Sequence, residues 1–296
     1  MLAVIIVSYK SDAQTIDFVQ KQCSKISTPN IIIIVNNGAS LESSNFLCEK
    51  LDALLILGKE QQADKHYRYI IHNTENVGFA KGNNIGAEFA YKKFNIEYIL
   101  FTNNDIVFLE TNVVEKLISR ISEIPKAGLI GPKVIGLDQK LQSPEPFVSF
   151  WDYYANRVWL GKKSYKCKIQ KYIDDAIEGF HYKIMGSFFI IKKDCFIECG
   201  GFDDCTFLYF EEVILSERLK AIGKGCYFYP MVSVLHEHGK TIKKYNSEYR
   251  MSIINLKSGQ YYYKKYINTN RFVILLGTFL YKVKLYLKFI KCFFFT

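Results

Sequence analysis

Two unbroken apolar runs near the start of the chain, Leu2 to Val7 and Ile31 to Val35, constrain the fold more than anything that follows. Runs rich in β-branched residues with no polar alternation are the pattern of strands covered on both faces, as in a parallel sheet between layers of helix. The first run ends in Ser8-Tyr9-Lys10 and the second in Asn36-Asn37-Gly38, a strong turn signal. Between them, Asp12 can cap a helix whose apolar positions Ile16, Val19 and Ile26 fall at roughly helical intervals. The pattern then repeats: a helix-like segment from Leu41 to Leu57, a strand from Tyr69 to His72, a helix near Ala80 to Phe94 and a strand from Ile96 to Thr102. Four alternations of strand and helix predict a doubly wound α/β sheet, mostly parallel, with helices on both faces. Ligands of such sheets bind beyond the carboxyl ends of the strands. Ser8-Tyr9, Asn36-Asn37, Asn76 to Asn84 and Asn103-Asn104-Asp105 all fall at or just after those ends, so they are expected to share one rim.

Asp105 stands between the apolar runs Tyr98 to Thr102 and Ile106 to Phe108. A carboxylate in that setting is costly unless water, a partner or a metal receives it. In isolation the triplet reads as an Asx-rich turn; four polar clusters on one rim favour a site. Gly-x-Gly-x-x-Gly is missing after the first strand, and so is a Gly-Lys-Ser/Thr loop, which argues against dinucleotide-binding and NTPase sites. A nucleotidyltransferase would carry a Gly-rich, basic loop where Ser8-Tyr9-Lys10 stands. Any nucleotide is expected to be held another way, with a metal on its phosphates.

The second half is less regular. Thr111 to Ile124 reads as a helix and Ala127 to Ile135 as a strand. Gly136 to Gly179 reads as an irregular insert rich in aromatics, among them Phe147, Trp151 and Trp159, which either stack on sugar rings or cap a core. Gly186 to Ile191 reads as a strand, and Phe207 to Ile222 as a helix carrying Glu211, Glu212, Glu217 and Arg218, by themselves a solvated face.

With 296 residues and 49% hydrophobic content the chain can bury a substantial core. Its net charge of +10 is segregated: residues 240–296 hold twelve Lys/Arg against Glu248, leaving a net −1 for residues 1–239. That segregation, with no recognition motif, argues against nucleic acid as a partner. Eight cysteines without a regular spacing are expected to be free thiols in a reducing cytoplasm, and no basic leader follows Met1. The longest uncharged run of the tail, Phe272 to Tyr281, is far short of the roughly 20 residues needed to span a bilayer. With Lys282, Lys284, Lys288 and Lys291 interspersed, the tail is expected to be a basic, amphipathic helical extension lying on a membrane surface, or else packed on its own domain or a second subunit.

Val4-Ile5-Ile6-Val7-Ser8-Tyr9, Val35-Asn36-Asn37-Gly38, Asn76-Val77-Gly78-Phe79-Ala80-Lys81-Gly82-Asn83-Asn84 and Thr102-Asn103-Asn104-Asp105 occur in that order. Gly186-Ser187-Phe188-Phe189, Gly200-Gly201-Phe202-Asp203, Phe207-Leu208-Tyr209-Phe210-Glu211-Glu212 and Val234-Leu235-His236-Glu237-His238-Gly239 complete the series. The joint pattern resembles the family 2 glycosyltransferases of GT-A fold, closest to their bacterial rhamnosyltransferase-like branch. The resemblance implies a GT-A domain over residues 1–239, with a nucleotide-sugar half to about 106 and an acceptor half beyond, and a C-terminal extension over 240–296. It implies a UDP- or dTDP-linked sugar donor, a glycan or lipid-linked acceptor, and work on surface polysaccharides at the cytoplasmic face of the membrane.

By the same resemblance Ser8, Tyr9 and Asn36 line the base pocket, Asn84 lies near the nucleoside, and Asn103-Asn104-Asp105 replaces an Asp-x-Asp-like motif whose last acid binds Mg²⁺ or Mn²⁺. His236, or His238, completes the metal site. Glu211-Glu212 stands where the family carries Glu-Asp, which makes Glu212 the catalytic base of an inverting transfer. Three departures, Asn36, Asn103 and Ile214, each replace an acid the family often has, and leave open a weakened protein that binds sugar nucleotides or glycans without turnover.

Overall fold

The computed structural model describes residues 1–58, 66–158, 162–237 and 248–294. Strands β1 (Leu2–Ser8), β2 (Asn30–Asn37), β3 (Leu54–Ile56), β4 (Arg68–Asn73) and β5 (Tyr98–Thr102) form the parallel part of one sheet, in the order β3-β4-β2-β1-β5. Beyond β5 the sheet becomes mixed, continuing through β9 (Phe188–Lys192), β7 (Ala127–Gly136), β10 (Gly225–His236) and β6 (Ile106–Phe108), with β8 (Gly179–His181) also paired to β10. The chain leaves β1 for β2 on one side and comes back to β5 on the other. That reversal opens a crevice beyond the carboxyl ends of β1 and β5.

Alternate residues of the buried strands feed two cores. Leu2, Val4 and Ile6 pack with Phe18 and Val19 of α1 (Asp12–Lys21) and Leu47 of α2 (Leu41–Leu51). Ala3 and Ile5 pack with Ala87 and Ala90 of α3 (Phe79–Lys93) on the other face. Burying a strand on both faces in this way removes each branched side chain from water, about 1.5–3 kcal/mol apiece relative to exposure.

Two expectations need correction. The segment from Leu41 to Leu57 is not one helix: α2 stops at Leu51, Asp52 takes a left-handed conformation (φ 49°), and Leu54 to Ile56 then pair in parallel with β4. The break follows the C-cap, where the left-handed residue ends the helical hydrogen bonding. The insert of residues 136–179 is not irregular, since it folds α5 (Phe150–Val158) and α6 (Lys162–Asp174). Its rings divide: Phe150 and Tyr154 are buried, whereas Phe147 and Trp151 are exposed, and Trp159 lies outside the described residues.

After α4 (Val113–Ser122), α7 (Lys193–Glu198) and α8 (Glu211–Ala221), the chain ends in α9 (Glu248–Lys265) and α10 (Arg271–Phe294). Both pack on the preceding domain. Ile274, Tyr281 and Leu285 of α10 join Phe150 and Tyr154 of α5, Phe210, and Leu256, Tyr262 and Tyr263 of α9 in a third apolar cluster. The opposite face of α10 turns outward, with Phe272 71% and Phe279 63% exposed. Among the described residues no helix is long and apolar enough to cross a membrane.

Candidate active site

A cavity of about 340 Å³ opens in the crevice beyond β1 and β5. The turn after β5 supplies Asn103, Asn104 and Asp105 to its wall; β10 supplies His236, the start of α8 supplies Glu211 and Glu212, and α9 supplies Arg250 and Met251.

Sheet register brings Asp105 to His236. The antiparallel pairing of β10 with β6 sets His236 opposite Ile106, and the backbone N–H of Glu237 donates to the carbonyl of Asp105 at 2.9 Å. His236 Nε2 consequently lies 3.4 Å from Asp105 Oδ1, with both side chains largely buried. On the far side of the ring, Nδ1 lies 3.0 Å from Gln142 Oε1. A carbonyl oxygen can only accept, so Nδ1 donates and, in the neutral ring, the Nε2 lone pair is left facing the carboxylate. An imidazole lone pair beside a carboxylate oxygen is a donor set suited to Mn²⁺ or a similar divalent ion. The chain's own residues go no further: among the described residues no group of three or more His, Cys, Asp or Glu could hold a metal. Two protein ligands suit an ion whose remaining positions go to phosphate oxygens and water. His238 lies outside the described residues.

The carboxylates of α8 are aimed by strained backbone. Tyr209 (φ 70°) and Phe210 (φ 69°) both adopt left-handed conformations immediately before Glu211. Each costs about 1–2 kcal/mol for a residue with a side chain. The Phe210 ring holds the turn, packing against Tyr153 and Tyr262 at centroid distances of 5.1 and 5.5 Å.

The two acids then differ. Glu211 is 5% exposed and, among the described residues, its Oε2 has no hydrogen-bond partner. Burial, and then the neighbouring Glu212 carboxylate, push its pKa well above the ordinary carboxylate range. Glu212 is less buried and rests over Gly186, where a Cβ would lie 2.6 Å from Glu212 Oε1. Glycine is what makes room for that carboxylate. Lys183 pairs with Glu145 at 2.8 Å; burial works against its charge, but Glu145 and then Glu212 outweigh it and raise its pKa. Lys183, Glu145 and Gln142 belong to no motif in the sequence, and only their contacts disclose them.

Other expected residues fall elsewhere. Ser8 is fully buried, bonded through Oγ to Ser11 (3.2 Å) and Thr15 (2.9 Å) on the α1 side. Asn36 also faces away from the cavity, donating to Ser43 and Ser44 of α2. Strand alternation is the reason: Val7 and Asn37 line the cavity, so Ser8 and Asn36, one residue away, cannot. Asn37 is itself committed, donating to Asn76 and accepting from Asn73 and the Val77 N–H. Asn84 is drawn to the Gly200-Gly201-Phe202 turn, donating to the Phe202 carbonyl and accepting from its N–H. Tyr9, Asn103 and Asn104 do line the cavity, with Asn104 anchored to Ser11 and Thr15.

Residues 3–212 match the model of Glycosyl transferase family 2. The chain belongs to that family. Relatives of this glycosyltransferase include the low-salt glycan biosynthesis hexosyltransferase Agl10 of Haloferax volcanii, 21% identical over 252 residues, which are 84% of this chain and 71% of the relative. Rhamnosyltransferase WbbL of Escherichia coli is 24% identical over 192 residues, 62% of this chain and 69% of WbbL. The N-acetylglucosaminyl-diphospho-decaprenol L-rhamnosyltransferase of Mycobacterium tuberculosis is 23% identical over 145 residues, 47% of each chain. Among solved structures, the mannosyltransferase PcManGT of Pyrobaculum calidifontis, in complex with GDP-Man and Mn²⁺, superposes with a TM-score of 0.57 at 11% identity. It covers 94% of this chain and 69% of its own. GalNAc-T7 with UDP, GalNAc and Mn²⁺ gives a TM-score of 0.53 at 16% identity, covering 80% of this chain and 44% of its own. This glycosyltransferase therefore has the GT-A fold expected from its sequence.

Proposed function

We propose that the protein is an inverting, divalent-metal-dependent glycosyltransferase. It moves a sugar from a UDP- or dTDP-linked donor to a glycan or lipid-linked acceptor in bacterial surface polysaccharide synthesis. The observation that carries this reading is one cavity that gathers Asp105, His236 and Glu212, a ligand pair and a carboxylate base on a single wall system. The Mn²⁺ in the two similar structures supports the same ion here, and hexosyl and rhamnosyl transfer by the relatives supports the reaction class.

Asp105 and His236 would hold the ion, which when bound would neutralise charge developing on the departing diphosphate. Glu212 accepts the proton of the acceptor hydroxyl as its oxygen attacks the anomeric carbon. The new C–O bond forms on the face opposite the breaking bond to the diphosphate, so the anomeric configuration inverts. Burial, and then the Glu212 carboxylate, raise the pKa of Glu211 and so favour its protonated form. Tyr9 and Asn76 remain at the nucleoside end of the cavity, where Ser8 and Asn36 are turned away.

The outward face of α10 supports a place of action at a membrane surface. Its outward face carries Phe272, Leu275, Phe279 and Tyr286 with Lys282 among them, a composition suited to an anionic bilayer surface at the cytoplasmic side of the membrane.

A nucleotide-sugar panel read by thermal shift with Mn²⁺ tests the donor, because a ligand of the native state raises its apparent stability. UDP- or dTDP-linked sugars are expected to raise Tm and to lose that effect under chelation. Equal shifts with and without metal would reject the metal-held donor.

A further inference from the structure

Helix α9 carries a second face beside the one buried in the third apolar cluster, with Ile253 at the border, partly packed against that cluster. Leu256, Tyr262 and Tyr263 are buried in that cluster, whereas Arg250, Ile253, Ile254 and Lys257 recur at positions i, i+3, i+4 and i+7 on another side. With Phe207 and Tyr249 these four line an open groove of about 440 Å³. Phe207 and Arg250 also line the cavity that holds Glu212, so groove and cavity are continuous. Asp105 and His236 are not part of the groove.

The lining has a definite chemistry. Among the described residues no acid contributes to it; two cations stand roughly 10 Å apart along the helix, from seven residues at a 1.5 Å rise. Between them lie two aliphatic side chains, with two aromatic rings beside them. Guanidinium and ammonium groups bind phosphate oxygens through charge-assisted hydrogen bonds. A purely glycan acceptor would use neither the paired cations nor the aliphatic strip. An amphiphile with its anionic group joined to an apolar chain uses both.

We propose that this groove binds the carrier end of the acceptor, a lipid phosphate or diphosphate, with phosphate oxygens on Arg250 and Lys257 and the first apolar segment on Ile253, Ile254 and Phe207. The assignment rests on the glycosyltransferase reading above and narrows its acceptor to the lipid-linked class. The acceptor sugar then projects from the groove toward Glu212, through the stretch that Phe207 and Arg250 share.

Binding of dodecyl diphosphate, below its micelle concentration and in EDTA so that Asp105 and His236 cannot recruit it through a metal, tests the assignment. The full chain is expected to bind it at least about tenfold more tightly than inorganic diphosphate or neutral dodecyl maltoside, and the double variant R250Q/K257Q is expected to lose about tenfold or more. I253S/I254S is expected to weaken the dodecyl compound while leaving inorganic diphosphate unchanged. Unchanged affinity in R250Q/K257Q overturns the proposal. Equal binding of inorganic and dodecyl diphosphate also overturns it, showing a free-phosphate site. Loss of binding to anionic vesicles without loss of dodecyl diphosphate binding would assign the two cations to bilayer headgroups and overturn it as well. The thermal shift given by nucleotide sugar with Mn²⁺ is the separate control. Its absence in the wild type would defeat the glycosyltransferase reading, whereas a thermal unfolding midpoint of R250Q/K257Q without ligand that matches the wild type shows that the variant is folded.

Discussion

His236 turns its Nε2 lone pair toward Asp105 Oδ1, 3.4 Å away, while on the other side of the ring Gln142 Oε1 accepts a hydrogen bond from Nδ1 at 3.0 Å. A group that fixes the tautomer of a metal-binding histidine typically accounts for 10–100-fold in metal affinity. Gln142→Leu is therefore expected to raise the Mn²⁺ concentration for half-maximal stabilisation by about that factor while the fold persists. A Mn²⁺ titration followed by thermal shift measures it, and an unchanged midpoint would remove Gln142 from the site.

Glu211 leads to a pH prediction. Its pKa is raised from an ordinary value of 4.5, by burial first and Glu212 second. Below about pH 4.5 folded and unfolded chains both carry the proton; above it the unfolded chain releases its proton while the native carboxyl keeps it. Wild-type stability contributed by this group therefore falls as pH rises toward the folded pKa. Glu211→Gln lacks that loss, so its stability advantage should widen with rising pH, by up to about 1.4 kcal/mol per unit over that window. Urea unfolding at a series of pH values measures the gap, and a gap that does not change with pH would contradict the assignment.

Asp203 ties α9 to Arg218 of α8. Its Oδ2 accepts from Tyr261 at 2.8 Å, Tyr266 at 2.6 Å and Lys265 at 3.0 Å, and pairs with Arg218 at 3.1 Å. Burial alone would push the pKa up, but the hydrogen bonds, led by Tyr266, outweigh it and hold the carboxyl well below the usual range. Asp203→Asn is expected to cost about 2–4 kcal/mol at neutral pH. The contribution is present above the unfolded-state value near 3.8 and is lost as pH falls toward the folded pKa, so wild type and variant should converge in acid. Chemical denaturation at pH 7 and in acid checks both statements.

What could be read in the sequence depended on how local each cause was. The apolar runs of β1 and β2 announce buried strands because every residue points into one core or the other. Leu54 to Ile56 did not stand out, since three apolar residues after a helix look like its last turn until β4 is there to pair with them. The rim was visible as a set of strand ends, but which member of each pair faces the cavity depends on strand parity. Asn37 and Val7 face it and Asn36 and Ser8 do not, a one-residue distinction that composition cannot make. Gln142, Lys183 and Arg250 reach the site from the insert, the strand approach and the tail, and no spacing links them to Asp105 or Glu212. The outer face of α10 was legible as apolar and basic, whereas its inner face became readable only against Phe150 and Tyr154.

The most direct test of the central claim is the rate of sugar transfer by wild type, Asp105→Ala and Glu212→Gln, each with Mn²⁺ and after chelation. Transfer is expected to vanish on chelation and return with Mn²⁺. It should fall about 100-fold or more in Glu212→Gln with donor binding retained, in keeping with loss of a general base, and be lost in Asp105→Ala. Wild-type turnover that survives chelation, together with turnover in Asp105→Ala at the wild-type rate, would contradict the account.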